Sequence, residues 1–293
     1  MTPALQTQGR VFCGVALTLV IATLSGLQLK PKHELLAMGA LVLLLGMPHG
    51  AFDVVIARQL FAVADFKGWT LFWMGYAGLS AAVVGLWVVA PTIFLCAFLI
   101  VSAWHFSGDP AAGVSRLGRV LYGGAVIVLP AMFHGTELQR LLGLVAGTAS
   151  AAFVVPVLSQ LAVPWLVATV LACAVQARTS RLAACESAAL AALALIAPPL
   201  AAFGVYFCAM HSPRHILRML ASLPAAEVRN ALALALWPTL AVLGAAVLFG
   251  LLATDLPVEA RVMQLVFVGL AALTLPHMVL LERARRLAQT QER

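Results

Sequence analysis

The chain has 293 residues, of which 63% are hydrophobic and only 10% charged, and its mean hydropathy is +1.02. Soluble domains are nearer half apolar and a quarter charged, so these totals exclude a soluble fold. The net charge of +7 comes from 18 basic residues spread thinly through the connections, with a run only at Arg283–Arg286, and gives no nucleic-acid signal.

In chain order the apolar segments are Val11–Leu29, Leu35–Leu60, Trp69–Ala90, Thr92–Phe106, Leu117–Phe133, Leu141–Leu158, Leu161–Gln176, Leu182–Met210, Ala231–Ala253 and Val262–Leu281. In lipid a backbone has no partner but itself, so each is expected to be helical. The expectation is an all-α, polytopic integral membrane bundle of eight to ten transmembrane segments, one domain over residues 1–293. Arg10 followed by Val11–Leu29 reads as an uncleaved first span, too long for a signal-peptide core. Pro31, Pro91, Pro110, Pro224 and Pro257 fall in connections. Pro156 and Pro164 flank a short joint, so Leu141–Gln176 reads as two spans or a re-entrant hairpin, and Leu182–Met210 as one pass. With a cytoplasmic N-terminus, only Lys30, Lys32, Arg140, Arg178, Arg181 and Arg261 of the 18 cations then lie outside. The five cysteines stand singly, without CxxC, and indicate neither a disulfide framework nor a zinc ribbon.

Seven histidines remain to be explained. His33, between Lys32 and Glu34, reads as solvated, and His134 lies at the far end of its helix. The other five, His49 in GMPHGAFD, His105 in WHFSGD, His211 and His215 in YFCAMHSPRH and His277 in TLPHM, fall in the cytoplasmic half of the bundle. Ionisable groups at that depth are costly and suggest function. His211 and His215 stand four apart, one helical turn, with Ser212 expected as an N-cap and Pro213 at the first position of a new helix. Asp53 follows His49 by four residues and Asp109 follows His105 by four, where a carboxylate can accept the second imidazole N–H. Each pair alone also fits ordinary interfacial residues, and it is the convergence of five histidines that favours a metal. No cysteine or glutamate accompanies them, so a cysteine–zinc site and a carboxylate-bridged di-iron site are not indicated, and an all-imidazole set suits Fe(II) or copper. Met47, Phe52, Trp104, Phe106, Tyr206, Phe207, Met210 and Met278 flank the histidines and are expected to line an apolar pocket.

Together GMPHGAFD, WHFSGD, YFCAMHSPRH and LPHM resemble the Brp/Blh family of integral membrane β-carotene 15,15′-dioxygenases, from about Gly46 to Glu282. The resemblance implies an Fe(II) enzyme that cleaves the central double bond of β-carotene with O2 to give two retinal molecules. It carries over His49, His105, His211 and His215 as iron ligands, with His277 as a further ligand or close neighbour, and Asp53 and Asp109 supporting the metal. It also implies residence in a lipid bilayer, the bacterial cytoplasmic membrane, with a microbial rhodopsin as consumer of the retinal. The family has glycine directly after the HF of the second motif. Here Ser107 stands there and Gly108 follows, which loosens the carry-over to Asp109. Two alternatives stand beside this reading. A desaturase or hydroxylase acting on a lipid would show about eight histidines with an HH pair, which is absent. A haem- or retinoid-binding membrane protein would use histidine pairs axially, and haem would show a strong visible band.

Overall fold

The structure is a computed structural model that describes residues 2–291 except residues 28, 62–64 and 112. Among the described residues there are helices and connections and no strand. Helix α1 is Pro3–Leu24. A second long segment, Pro31–Phe61, joins α2 (Pro31–Leu41), a π turn, a 3₁₀ stretch (Met47–Phe52) and α3 (Asp53–Phe61). Then follow α4 (Phe66–Val89), α5 (Pro91–Phe106), α6 (Arg116–Val128), α7 (Gly135–Ala146), α8 (Thr148–Ala177) and α9 (Arg181–Ile196). The broken helix α10 (Pro199–Val205), a π segment (Tyr206–His211) and α11 (Ser212–Ala221) precede the long α12 (Ala225–Leu252) and α13 (Val258–Gln291). Among the described residues six helices are long and apolar enough to cross a bilayer, or up to seven counting the pair Arg116–Met132 and Gly135–Ala146, bent by 112°, as one span. That is fewer than eight to ten by length, because α5 and α9 are short, α10–α11 is interrupted, and most of two expected spans run together in α8. The bundle's periphery is apolar: α4 buries no residue, and Leu17, Leu71, Val88 and Leu248 on three different helices face outward. A surface of this kind belongs against lipid.

Prolines decide where the chain turns. Pro156 and Pro164 sit inside α8, which runs unbroken for 30 residues, so the joint expected between them, whether separating two spans or closing a re-entrant hairpin, does not form. The reversal comes earlier, at Gly147, whose φ of +86° a β-carbon would resist. Conversely, Leu182–Met210 is not one pass. Consecutive Pro198 and Pro199 force the residues before them out of the helical region, and Ala197 (ψ 153°) and Pro198 (ψ 139°) are extended. A lone proline loses one hydrogen bond and a helix in lipid absorbs it, whereas two in succession leave no helical path.

Side-chain contacts fix the direction of each pass. Ser150 meets Thr92, Ser159 donates to the Ala131 carbonyl and Trp165 to that of Leu121, so α8 runs antiparallel to α6. Helix α9 then returns, because Glu186 near its start binds Arg214 while Leu195 near its end meets His134. The start of α9 therefore lies at the histidine end, and Arg178 and Arg181 are there, not on the far side as the hairpin reading required. Of the described cations, only Lys30, Lys32, Arg140 and Arg261 remain at the opposite end, and the charge asymmetry strengthens. The number of passes between His105 and His211 is unchanged, since one reversal is lost and another gained. On a cysteine-free background, single cysteines at the exposed positions Arg181 and Glu227 should be labelled from the same side of the membrane and one at Arg140 from the other. Opposite labelling of Arg181 and Glu227 would contradict this arrangement.

Candidate metal centre

Three helices bring histidines inward within two residues of a proline: Pro48–His49, Pro213–Arg214–His215 and Pro276–His277. Proline cannot donate to the carbonyl four residues earlier, and the helix widens or tightens around the defect. The freed or displaced carbonyls are not wasted. Ala209, four before Pro213, accepts from Gln8 Nε2 at 2.8 Å, and Ala272, four before Pro276, accepts from Ser80 Oγ at 2.9 Å. Near Pro48 the Leu45 carbonyl accepts from Ser212 Oγ at 2.8 Å, and that of Gly46 accepts from His49 Nδ1 at 2.6 Å. Ser212 is thus no N-cap. The helix runs on through the π segment into α11, and the Ser212 hydroxyl ties the two histidine-bearing helices together. Gly46 is required here because a β-carbon would lie 2.4 Å from the Phe207 ring.

All five expected imidazoles converge. The His49 ring centroid lies 6.4 Å from that of His105, 5.0 Å from His211 and 5.5 Å from both His215 and His277. His105 stands 4.6 Å from His211 and 5.2 Å from His277, and His215 stands 4.9 Å from His277. His49, His105 and His277 each offer a ring nitrogen within 4.8 Å of the others. Two imidazoles on opposite sides of one ion at ~2.1 Å each would be ~4.2 Å apart, so the trio is set at metal-binding scale. His277, which the sequence left between ligand and neighbour, is one of them. His33 is exposed, and His134 bonds the Leu195 carbonyl at the opposite end, as expected.

Unpaired nitrogens mark what these rings are for. The Nε2 atoms of His105, His211, His215 and His277 are buried without a hydrogen-bond partner among the described residues. Buried polar atoms are nearly always satisfied, so four unpartnered Nε2 atoms gathered in one cluster are a donor set suited to a shared metal ion. For two of the four the opposite nitrogen is held, His277 Nδ1 by Asp53 at 2.6 Å and His211 Nδ1 by Asp109 at 3.0 Å, and His49 Nδ1 donates to the Gly46 carbonyl. In these three rings the tautomer leaves Nε2 as the free acceptor.

The aspartate pairing is crossed relative to the sequence expectation. Asp53 serves His277, not His49, and Asp109 serves His211, not His105. The spacing of four assumed α-helix, where four residues return to within ~40° of the same face. His49–Asp53 runs through 3₁₀ turns, where four residues end ~120° away. Asp109 lies beyond the end of α5, in the connection, where no helical spacing applies. Each aspartate also accepts from a tyrosine hydroxyl, Asp53 from Tyr76 at 3.0 Å and Asp109 from Tyr206. Two Tyr–Asp–His chains therefore flank the cluster. Burial alone would raise the Asp109 carboxyl, but His211, the hydrogen bonds from His211 and Tyr206, and Arg218 hold it below the ordinary aspartate range.

A buried ion network locks the Asp109 segment. Arg214, fully buried, makes two bonds to Glu186 at 2.9 and 2.7 Å, one to Gln8 at 2.8 Å and one to the Asp109 carbonyl at 3.3 Å. Arg218 holds the Gly108 and Asp109 carbonyls at 2.7 and 2.6 Å. Ser107 stays outside this hold, its hydroxyl donating to the Trp104 carbonyl. Sequence reasoning missed Glu186, Gln8, Arg214, Tyr76 and the partner role of Tyr206. Glu186 alone carried a signal, as a lone carboxylate in an alanine- and leucine-rich helix.

The expected apolar lining is only partly found. Phe106 and Phe207 pack on His211 and Met47 lines a cavity beside His49 and His277, but Trp104 is 67% exposed, and Phe52 and Met210 are buried core. The cavity wall is built instead largely by Trp73, Tyr76, Val242, Leu270 and Leu273.

A family profile described as β-carotene 15,15′-dioxygenase matches residues 40–283. The chain is 31% identical over 259 residues to a β-carotene 15,15′-dioxygenase from an uncultured marine bacterium, 66A03, covering 83% of this chain and 91% of that one. It is 25% identical over 231 residues to a probable β-carotene 15,15′-dioxygenase, Blh, from Halobacterium salinarum, covering 69% of this chain and 66% of the relative. No solved structure matches the chain.

Proposed function

Since the chain belongs to the β-carotene 15,15′-dioxygenase family, we propose that it cleaves β-carotene at the central double bond with O2, using one ferrous ion held in the histidine cluster. The observation that carries the metal is the set of four buried, unpartnered Nε2 atoms around His49. His49, His105 and His277 are the closest-set ligands, joined by His211 and His215. Asp53 and Asp109 keep His277 and His211 in the ligating tautomer, and their two negative charges offset a dication among neutral rings. When bound, the ferrous ion supplies the one-electron chemistry that O2 needs to react with a closed-shell polyene. The atoms balance without another reductant: the C15–C15′ double bond breaks, each carbon takes one oxygen atom, and two C20 aldehydes leave. The chain's own contribution is to place a rigid polyene beside the cluster and to keep water away with Trp73, Leu270 and Leu273. In this reading it works in the bacterial cytoplasmic membrane as a single domain, takes its substrate from the bilayer and passes retinal to a retinal-binding membrane protein of the rhodopsin type.

Expression in a β-carotene-producing bacterial host tests this directly. Cells should lose orange pigment and accumulate retinal, and the purified protein should hold one iron per chain and no haem band. Undiminished carotene with a folded protein would reject the activity. Zinc or two irons per chain would reject the metal assignment.

A further inference from the structure

Three apolar cavities lie in line along the seam between α4 and α13. The central one borders His49, Asp53 and His277. An outer one runs past Val84, Trp87, Phe249 and Gln264, and is continuous with the centre, sharing Leu43, Met47, Val242 and Leu273. An inner one lies among Phe61, Leu79, Val279 and Arg283, and among the described residues Tyr76 is the one that lines both it and the central cavity. From Gln264 to Arg283 the α13 axis advances ~28 Å, about the hydrocarbon thickness of a bilayer, with His277 between the two ends.

We propose that these cavities are one substrate channel, and that Tyr76 is its neck, the residue that sets which bond of an extended polyene lies at the histidines. This rests on the carotenoid-cleaving reading above. A cut in the middle of a long rod requires room for a half on each side of the reacting bond. The outer and central cavities hold one half, and the inner cavity lies in line on the other side. Tyr76 cannot swing freely, because its hydroxyl is fixed to Asp53 at 3.0 Å and to the Leu273 carbonyl at 3.4 Å. The ring therefore stands as a narrow passage at the level of His277. The slim polyene lies across the neck, entering sideways from the lipid-facing seam, and the bulkier terminal rings seat in the wider cavities on either side, so the register is held. One wall of the central cavity is α12 (Pro238, Thr239, Val242), a helix with only Ala231, Ala235 and Ala246 buried, which gives the ring a lateral way in from lipid.

Two substitutions test the channel, each in the full-length, iron-loaded protein in lipid nanodiscs with β-carotene. Gly75 lines the inner cavity, and a β-carbon there meets nothing within 4 Å, so Gly75→Trp fills that cavity without touching a histidine. It should raise KM for β-carotene at least about tenfold, the scale at which a hydrophobic pocket rejects a poorly fitting group. A carotenoid with one half shortened should be cleaved as by the parent. Tyr76→Ala should open the neck and yield aldehydes longer and shorter than C20 beside retinal. Tyr76→Phe keeps the ring's bulk in the neck but loses its holds on Asp53 and the Leu273 carbonyl, and should yield retinal as the main product, more slowly. In metal-depleted protein, the visible circular dichroism that β-carotene acquires on binding should be lost in Gly75→Trp and kept in Tyr76→Phe. Unchanged KM and unchanged circular dichroism in Gly75→Trp would show the inner cavity unused and overturn the proposal. Retinal as the sole product of Tyr76→Ala would overturn the role of the neck. A parent that binds β-carotene but forms no retinal would instead reject the underlying functional reading.

Discussion

Replacing His277 by alanine is expected to strip the metal and abolish retinal formation as completely as replacing His49. The ring's Nε2 is buried without a partner and lies in the trio of nitrogens within 4.8 Å, while Asp53 holds Nδ1. A residue that only oriented a ligand would cost roughly 10- to 100-fold in affinity or activity. Loss of a ligand goes beyond that range, to iron below about a tenth of the parent's stoichiometry and retinal below detection. His33→Ala and His134→Ala, at exposed and far-end positions, should match the parent in both measurements. Elemental analysis and retinal yield read all the variants together. A His277→Ala protein that keeps full iron and works within a few-fold of the parent would remove His277 from the ligand set.

Breaking the Arg214–Glu186 pair should be the most destabilising single change outside the metal cluster. Both side chains are almost fully buried, and Glu186 is wedged so closely against α1 that a β-carbon at Gly9 would lie 1.9 Å from its Oε1. Glu186→Ala leaves a guanidinium without its counter-charge, which costs on the order of 3–5 kcal/mol. The double change Glu186→Gln with Arg214→Met removes both charges and should recover most of that loss, because well-packed neutral replacements of buried pairs are close to neutral. The single variant should also weaken iron retention, since Arg214 holds the Asp109 carbonyl and Asp109 orients His211. Thermal unfolding in detergent with iron content as second readout checks both. Equal melting temperatures for the parent and Glu186→Ala would mean the pair carries no net stabilisation.

What the amino-acid sequence determined by itself was class and cast. Hydropathy alone demanded a helical membrane bundle, because lipid offers a backbone no other partner. Five of seven histidines were legible as one group, since polar rings at a shared depth in apolar helices have few places to go but toward one another. Even the parity of passes between His105 and His211 came out right, although α8 was expected to turn and does not, and Leu182–Met210 was expected to run straight and breaks. Hydropathy reports how much apolar chain there is and is nearly blind to where a proline bends it. Tertiary structure alone decided the partners. Asp53 reaches His277 across 224 positions, and Asp109 reaches His211 across 102, because 3₁₀ turns and a helix end had already spoiled the local spacing of four. Gln8 on α1 and Ser80 on α4 fill carbonyls that prolines 205 and 196 positions away leave open, by 213 less 8 and 276 less 80. A proline announces in sequence that a carbonyl will be free. Which distant side chain takes it depends on which helix face packs there, and that is set by the whole bundle at once.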